Sequence, residues 1–165
     1  MAKVSMSVAL MQKWRTLSRL PGGKRLFSYM LGRMAPYTGT VGAVVEELEP
    51  GYAKVTLRDR RKVRNHLNSI HAIALCNLGE VTTGVACLSG MPGDARGILK
   101  GLSIEYHKKA RGLLTAECRC DIPRTSERCD YIVEGEIRNA AGELVSSVKA
   151  TWLIGPRADT TKAPA

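Results

Sequence analysis

The first 34 residues of the chain carry apolar side chains at the three- and four-residue steps of an amphipathic helix. A Pro-Gly-Gly sequence at residues 21–23 interrupts this pattern, which then resumes and stops before Pro36. The sequence therefore predicts two helices, whose apolar stripes we expect to cover one edge of the main domain. The first stripe consists of Val8, Leu10, Met11, Trp14, Leu17 and Leu20, and the second of Leu26, Phe27, Met30, Leu31 and Met34.

After Tyr37 the pattern changes to the two-residue alternation that is typical of β-strands. β-branched residues predict a strand over residues 40–48, and a turn at Pro50-Gly51 leads into a second alternating stretch over residues 53–57. Further along, three or four long strands are predicted over residues 97–108, 113–122, 131–139 and 144–155, the last pair joined by a tight hairpin.

Between these two groups of strands lies the most apolar helix of the chain. Ser69 is a plausible cap for it, and the helix is predicted to run from His71 to Leu88, before a stretch rich in glycine and proline. Glu80 is its only acid, and it contains no base. A helix that is apolar nearly all round is buried in the protein, so we expect the strands to enclose this one.

The order of the elements is a helical prefix, a hairpin, a buried helix and an antiparallel meander, without the βαβ alternation that a parallel sheet requires. The predicted fold class is therefore α+β, with a curved antiparallel sheet of five or six strands wrapped around one long central helix. We expect a helical extension over residues 1–36, the main domain over residues 37–155 and a polar tail over residues 156–165.

Length and charge narrow the classes of protein. A chain of 165 residues fits one globular domain, and its net charge of +10 attracts anionic partners. The basic residues are spread along the chain, aromatic residues make up only 5%, and no nucleic-acid-binding motif is present. We therefore expect a small anionic ligand. Nucleic-acid binding driven by charge alone stays a third, less favoured hypothesis.

Location follows from what the sequence lacks. No apolar run approaches the roughly 20 residues of a membrane-spanning helix, and no export signal is recognised at the N-terminus. Five cysteines, an odd number without framework spacing, are typical of buried thiols in a reducing compartment. Cys118, Cys120 and Cys129 lack a fourth ligand at a suitable spacing, so no metal site is expected. These observations predict a cytoplasmic protein.

Candidate chemistry is concentrated at the start of the apolar helix, where residues 65–71 are mostly polar. A helix N-terminus offers unpaired N–H groups and a positive dipole end, which suit an oxyanion that forms on an acyl carbonyl, and Ala72 N–H is the best donor. Glu80 is expected to be a buried carboxylate whose pKa is raised, and hence a stronger base toward water. The alternative is that Glu80 merely pairs with a neighbouring Arg or Lys.

Helix geometry separates these two groups within one chain. Nine residues at about 100° and 1.5 Å each place Glu80 on the far side of the helix from His71 and about 13 Å along it. If they cooperate, Glu80 must meet the His71 end of another subunit, as a two-fold dimer of antiparallel helices allows. Thr83 lies nearly on the face of Glu80 and is expected to help hold the attacking water.

These residues resemble a known motif. Asn65, then His71-Ala72, then Glu80 are similar to the motif of hotdog-fold acyl-CoA thioesterases of the phenylacetate-pathway and 4-hydroxybenzoyl-CoA kind. The stretch from Ile104 to Gly112 likewise resembles the strand that follows the central helix in that superfamily. The resemblance covers roughly residues 37–155 and is strongest to a bacterial branch whose activity is largely uncharacterised.

The resemblance implies a hydrolase without metal or organic cofactor, in which coenzyme A is part of the substrate. Ala72 N–H would polarise the thioester carbonyl, Glu80 would activate water or attack directly, and His71 and Asn65 would lie near the sulfur. The enzyme would be a homodimer, or a dimer of dimers, without nucleic-acid or membrane partners. Further substrate-binding residues would be Asn68, Ile73, Asn77 and, at the CoA phosphates, Lys108, Lys109 and Arg111.

Two departures from the family pattern leave a second function open. The family commonly has two glycines after the histidine, whereas Ala72 and Ile73 stand here, which narrows the space above the backbone donor. The hydroxyl that some members supply from the next strand would fall near Leu99 and Lys100, which have none. The alternative is a hotdog protein that binds acyl-CoA or another small ligand without turnover. A hydratase is disfavoured, because those relatives use an Asp followed five residues later by a His.

Overall fold

The computed structural model describes residues 5–122 and 124–157. Within them, six strands form one antiparallel sheet, so the α+β class and the antiparallel sheet are confirmed. The strands lie in the order β1-β2-β4-β5-β6-β3, which leaves β1 and β3 at the two edges. Their bounds are β1 Val44–Glu49, β2 Tyr52–Arg58, β3 Ala95–Tyr106, β4 Leu113–Arg119, β5 Cys129–Asn139 and β6 Leu144–Pro156.

Four α-helices in the described part of the chain accompany the sheet: α1 Met6–Leu17, α2 Gly23–Met34, α3 Pro36–Val41 and α4 Ala72–Leu88. Helix α4 is the most apolar of them and contacts all six strands. Two of its glycines allow this close packing. A Cβ atom on Gly79 would lie 2.6 Å from Val148 of β6, and one on Gly84 would lie 3.0 Å from the Trp152 ring.

Of the helices before the sheet, α2 packs on β1, an edge strand, and α1 and α3 pack on α2. Phe27 is buried and meets the Trp14 ring edge to face, with ring centroids 5.0 Å apart. The hydroxyl of Ser28 accepts a hydrogen bond of 2.9 Å from Val45 N–H, which ties α2 to β1. Ser7 Oγ donates to the carbonyl of Met91 over 2.9 Å, which ties α1 to the segment after α4.

One predicted element was wrong. Residues 40 and 41, expected to begin a strand, end helix α3 instead, and β1 starts only at Val44. Pro36 occupies the first turn of α3, where its fixed φ favours helix and its missing N–H costs nothing. Gly42 then ends the helix in the left-handed conformation, with φ of 66°, which glycine adopts without strain. The β-branched residues that suggested a strand are thus overridden by these two terminal signals.

The cysteines, the tail and membrane helices complete the description. All five cysteines are free thiols, and Cys87 and Cys118 are buried. Strand β6 extends to Pro156, the first residue of the predicted tail. From residue 158 on, that tail lies outside the described residues. No helix in the described part of the chain is long and apolar enough to cross a membrane.

Candidate active site at helix α4

The polar segment before α4 folds into a turn held by its own side chains. Asn65 Oδ1 accepts hydrogen bonds from Leu67 N–H at 2.9 Å and from Ser69 N–H at 3.2 Å, and it lies 3.2 Å from Ser69 Oγ. Asn68 adopts a left-handed conformation with φ of 52° and is exposed. The side-chain oxygen of Asn65 thus shapes the turn that leads into α4.

His71, and not Ser69, caps α4. The extended backbone of His71 precedes the helix, and its Nδ1 accepts a hydrogen bond of 3.1 Å from Ile73 N–H. Ser69 is buried in the preceding turn, so the cap predicted there was wrong. Ala72 N–H, the first of the helix, has no intrahelical acceptor and no hydrogen-bond partner elsewhere in residues 5–122 and 124–157. It remains available to an anionic oxygen.

Glu80 is half-buried and lies on the same side of α4 as the exposed Ile73, two turns earlier, and this side is called the open side of the helix. Burial raises the pKa of its carboxyl group above the ordinary value. Its carboxylate has no ion pair and no side-chain hydrogen bond within the described residues, so the alternative of a structural ion pair finds no partner there. An unpaired carboxylate held partly out of water is a strengthened base.

Thr83, expected to hold the attacking water, and Asn77, expected to bind substrate, both make hydrogen bonds inside the protein. Thr83 is fully buried, and its hydroxyl donates within the helix, where the carbonyls of Gly79 and Glu80 lie at 3.0 and 3.1 Å. It is therefore not available to hold a water in front of Glu80. Asn77 is only 7% exposed, and its Nδ2 donates to Thr38 Oγ1 over 3.2 Å, while its Oδ1 is buried without a partner in the described residues.

Tyr106 and Cys76 join the site although the sequence did not single them out. Tyr106 Oη donates to the carbonyl of Ala72 over 3.1 Å and lies 3.2 Å from Cys76 Sγ, and burial raises the pKa of the phenol. Cys76 stands one helical turn before Glu80, a spacing that could have marked it. Tyr106 brings the inner face of β3 to the first turn of α4, which no sequence pattern indicates.

The predicted phosphate-binding residues are only partly free. Lys108 forms an ion pair with Glu143, whereas Lys109 is exposed without an ion pair in the described part of the chain. Arg111 Nη2 reaches the carbonyl of Leu67 at 3.5 Å, so this loop lies beside the turn that precedes α4.

A basic cavity of about 720 Å³ also adjoins the N-terminus of α4. It is lined by Arg60, Lys62 and Arg64 together with His71 and Ile73. Arg60 donates to the carbonyl of Val41, and Arg64 pairs with Asp59 at 2.6 Å. The basic run over residues 58–64 is visible in the sequence, but its place at this helix end is not. In the described residues, no group of three or more His, Cys, Asp or Glu side chains is arranged to hold a metal ion.

Solved structures share this fold. A protein described only as genomics APC5556 is 30% identical with a TM-score of 0.78, over 90% of this chain and 99% of that chain. PA5026 from Pseudomonas aeruginosa, described as a probable thioesterase, is 23% identical with a TM-score of 0.72, over 84% and 97%. Thioesterase HI1161 from Haemophilus influenzae is 12% identical with a TM-score of 0.68, over 80% and 92%.

The likenesses to PA5026 and HI1161 show a shared fold alone, and they do not single out the phenylacetate-pathway or 4-hydroxybenzoyl-CoA branch. No curated protein matches the chain. The model of one protein family, described as a domain of unknown function, DUF4442, matches residues 23–154. The chain belongs to the DUF4442 family.

Proposed function

We propose that this protein is an acyl-CoA thioesterase that acts as a homodimer. The observation that carries this proposal is the half-buried carboxylate of Glu80, which has a raised pKa and no partner in the described residues, on the open side of an otherwise apolar helix. The fold shared with proteins described as thioesterases adds support from a separate direction.

The proposed reaction needs a base and an oxyanion donor. Glu80 takes a proton from water, the resulting hydroxide attacks the thioester carbonyl, and Ala72 N–H with the dipole of α4 stabilises the tetrahedral oxyanion. Collapse breaks the C–S bond, and the thiolate of CoA takes up the proton. Alternatively, the Glu80 carboxylate attacks first and water then hydrolyses the anhydride. Neither route needs a metal or an organic cofactor, and His71 and Tyr106 would position the first turn of α4.

The dimer follows from the length of α4. Along one helix, Ala72 and Glu80 are about 12 Å apart, so one chain cannot direct both at the same carbonyl. A second copy related by a two-fold axis would bring its Ala72 to Glu80 of the first. Strand β3 supports this arrangement, because an edge strand offers unpaired backbone groups to a second chain.

We assign recognition of CoA to the basic side chains near the N-terminus of α4. Lys109 and Arg111 lie beside the turn that carries Asn65 and Asn68, and Lys62 lines the basic cavity at His71. The phosphates of CoA would be drawn there by the net charge of +10. Lys108 is a weaker candidate, since Glu143 already pairs with it.

The test is Glu80→Gln, which keeps the size of the side chain and removes the base. Loss of a positioned base lowers the rate by roughly 10²–10⁴-fold, so thiol release from a panel of acyl-CoA thioesters should fall by that factor. Glu134→Gln, on an exposed acid of β5, is the matched control and should leave the rate unchanged. Hydrolysis by Glu80→Gln at the wild-type rate would remove Glu80 from the mechanism.

A second function, binding of acyl-CoA without turnover, is favoured by two observations. Thr83 offers no hydroxyl to a catalytic water, and Ile73 stands beside the backbone donor with 51% of its surface exposed. Calorimetry and thiol release on the same acyl-CoA panel separate the functions. If acyl-CoA binds with measurable heat but no thiol is released, the protein is a carrier or sensor and not a thioesterase.

A further inference from the structure

A largely apolar cavity of about 670 Å³ lies between α2, α3, β1 and α4, and it shares only Gly39 and Thr40 of its lining with the basic cavity. Its volume is within the range of roughly 300–1,000 Å³ that is typical of small-molecule sites. Apolar side chains from all four elements line it, and the only one from α4 belongs to Val81. Its apolar lining includes Leu31, Pro36, Val44, Val45 and Val81.

The cavity lies next to the proposed catalytic acid. Val81 follows Glu80 in α4, so its side chain projects about 100° further round the helix. Asn77, one turn before Val81, bonds Thr38 at 3.2 Å, and Thr38 lines the cavity. The Asn77–Thr38 pair therefore links the turn of α4 that leads to Glu80 with the lining of the cavity.

The walls of the cavity are fixed by backbone contact. Gly32 of α2 and Gly39 of α3 both line it and pack against each other. A Cβ atom on Gly32 would lie 2.7 Å from Gly39 Cα, and one on Gly39 would lie 2.9 Å from the carbonyl oxygen of Gly32. The Ser28 hydroxyl bond to Val45 N–H holds the opposite wall to β1. The open space is thus part of how α2 and α3 are built onto the sheet.

We infer that this cavity receives the aliphatic acyl chain of the thioester, so that α2 and α3 decide which acyl groups are accepted. The inference rests on the proposed function, since it takes the thioester carbonyl to lie at Glu80. An apolar lining of fixed shape selects an alkyl chain, because every buried methylene gains free energy and no polar group of the chain needs a partner. The exposed Arg25 and Arg33 at its edge keep the opening in water.

The experiment uses S-alkyl-CoA thioethers, which cannot be hydrolysed, from ethyl to dodecyl, and calorimetry on the full chain. We expect the affinity to rise about fourfold per methylene until the cavity is filled. Val81→Phe from α4 and Thr40→Phe from α3 should each stop the rise at a shorter chain. Ile132→Phe, on the exposed outer face of β5, is the matched control and should keep the wild-type profile.

The outcomes separate this inference from the function on which it rests. If chain-length dependence is present and shortened by Thr40→Phe or Val81→Phe, but no acyl-CoA is hydrolysed, the cavity assignment stands and the thioesterase proposal fails. If acyl-CoA is hydrolysed but affinity does not depend on chain length, the cavity assignment fails. A profile that both folded filling variants leave unchanged also overturns it, with melting temperature as the check on folding.

Discussion

The two sides of α4 differ in how completely one chain buries their side chains. On the sheet side, Leu78 is fully buried and Gly79 brings the helix backbone against Val148. On the open side, Ile73 is 51% exposed and Glu80 is held partly out of water without a partner in the described residues. The sheet side is finished within one chain, whereas the open side exposes an apolar side chain and desolvates an acid.

The sheet side of α4 serves folding, whereas the open side carries the proposed chemistry. The buried side chains of the sheet side stabilise the position of α4, because apolar burial is the main favourable term in folding. The open side adds no comparable stability. The partly buried carboxylate of Glu80, whose pKa is raised, lowers the stability of the fold. In the proposed dimer, a second chain or a ligand would cover Ile73 and Glu80 on the open side.

The largest expected effect on folding comes from the sheet side. Leu78→Ala removes a fully buried side chain, and such changes lower the free energy of unfolding by about 2–5 kcal/mol. Ile73→Ala on the open side of the same helix is the matched comparison and should cost less, because 51% of the Ile73 surface is exposed within one chain. Urea unfolding monitored by circular dichroism measures both. Equal losses would mean that one chain already uses both sides of α4 for stability.

Ala72→Pro tests the oxyanion donor with little effect on the fold. Proline lacks only the N–H and is favoured at the first helical position, and the extended backbone of His71, with φ of −64° and ψ of 141°, suits a residue before proline. Loss of one such donor lowers kcat by roughly 10²–10³-fold. Ala72→Ser keeps the N–H and should retain activity. If Ala72→Pro keeps the wild-type kcat, another group stabilises the oxyanion.

The smallest effect is on the pH dependence of stability. Burial raises the pKa of Glu80 in the folded chain, so the folded state binds more protons than the unfolded state between the two pKa values. Glu80 therefore destabilises the fold increasingly as pH rises through this window, and it has no effect below the unfolded pKa. Glu80→Gln should melt higher than wild type at neutral pH and at the same temperature in strong acid. A lower melting temperature at neutral pH would show that the carboxylate is paired.

Much of the fold is predictable from the sequence because alternation and helical periodicity are local. The strand from Leu144 onward and the apolar helix after His71 are present where the pattern places them. Helix α3 was missed because Pro36 and Gly42 outweigh the β-branched residues between them. The strand order, which places β3 beside β6 at an edge, arises from long-range pairing that no local pattern encodes.

The candidate site was predictable in composition but not in contacts. Glu80 stood out because it is the only acid in an apolar helix, and Ala72 because it begins that helix. The Tyr106 bond to the first turn of α4 joins residues 34 positions apart, and the burial of Thr83 depends on which side of α4 faces β5. Both follow from tertiary packing, which no local pattern encodes.

The central claim is that Glu80 of one chain works with Ala72 of another, and mixing two inactive variants tests it most directly. In a mixed dimer of Glu80→Gln and Ala72→Pro chains, one of the two shared sites carries both changes and the other carries neither. With free exchange, half of the dimers are mixed, so thiol release should recover to about a quarter of the wild-type rate. If the mixture stays as inactive as its components although mixed dimers form, Glu80 and Ala72 do not act across two chains.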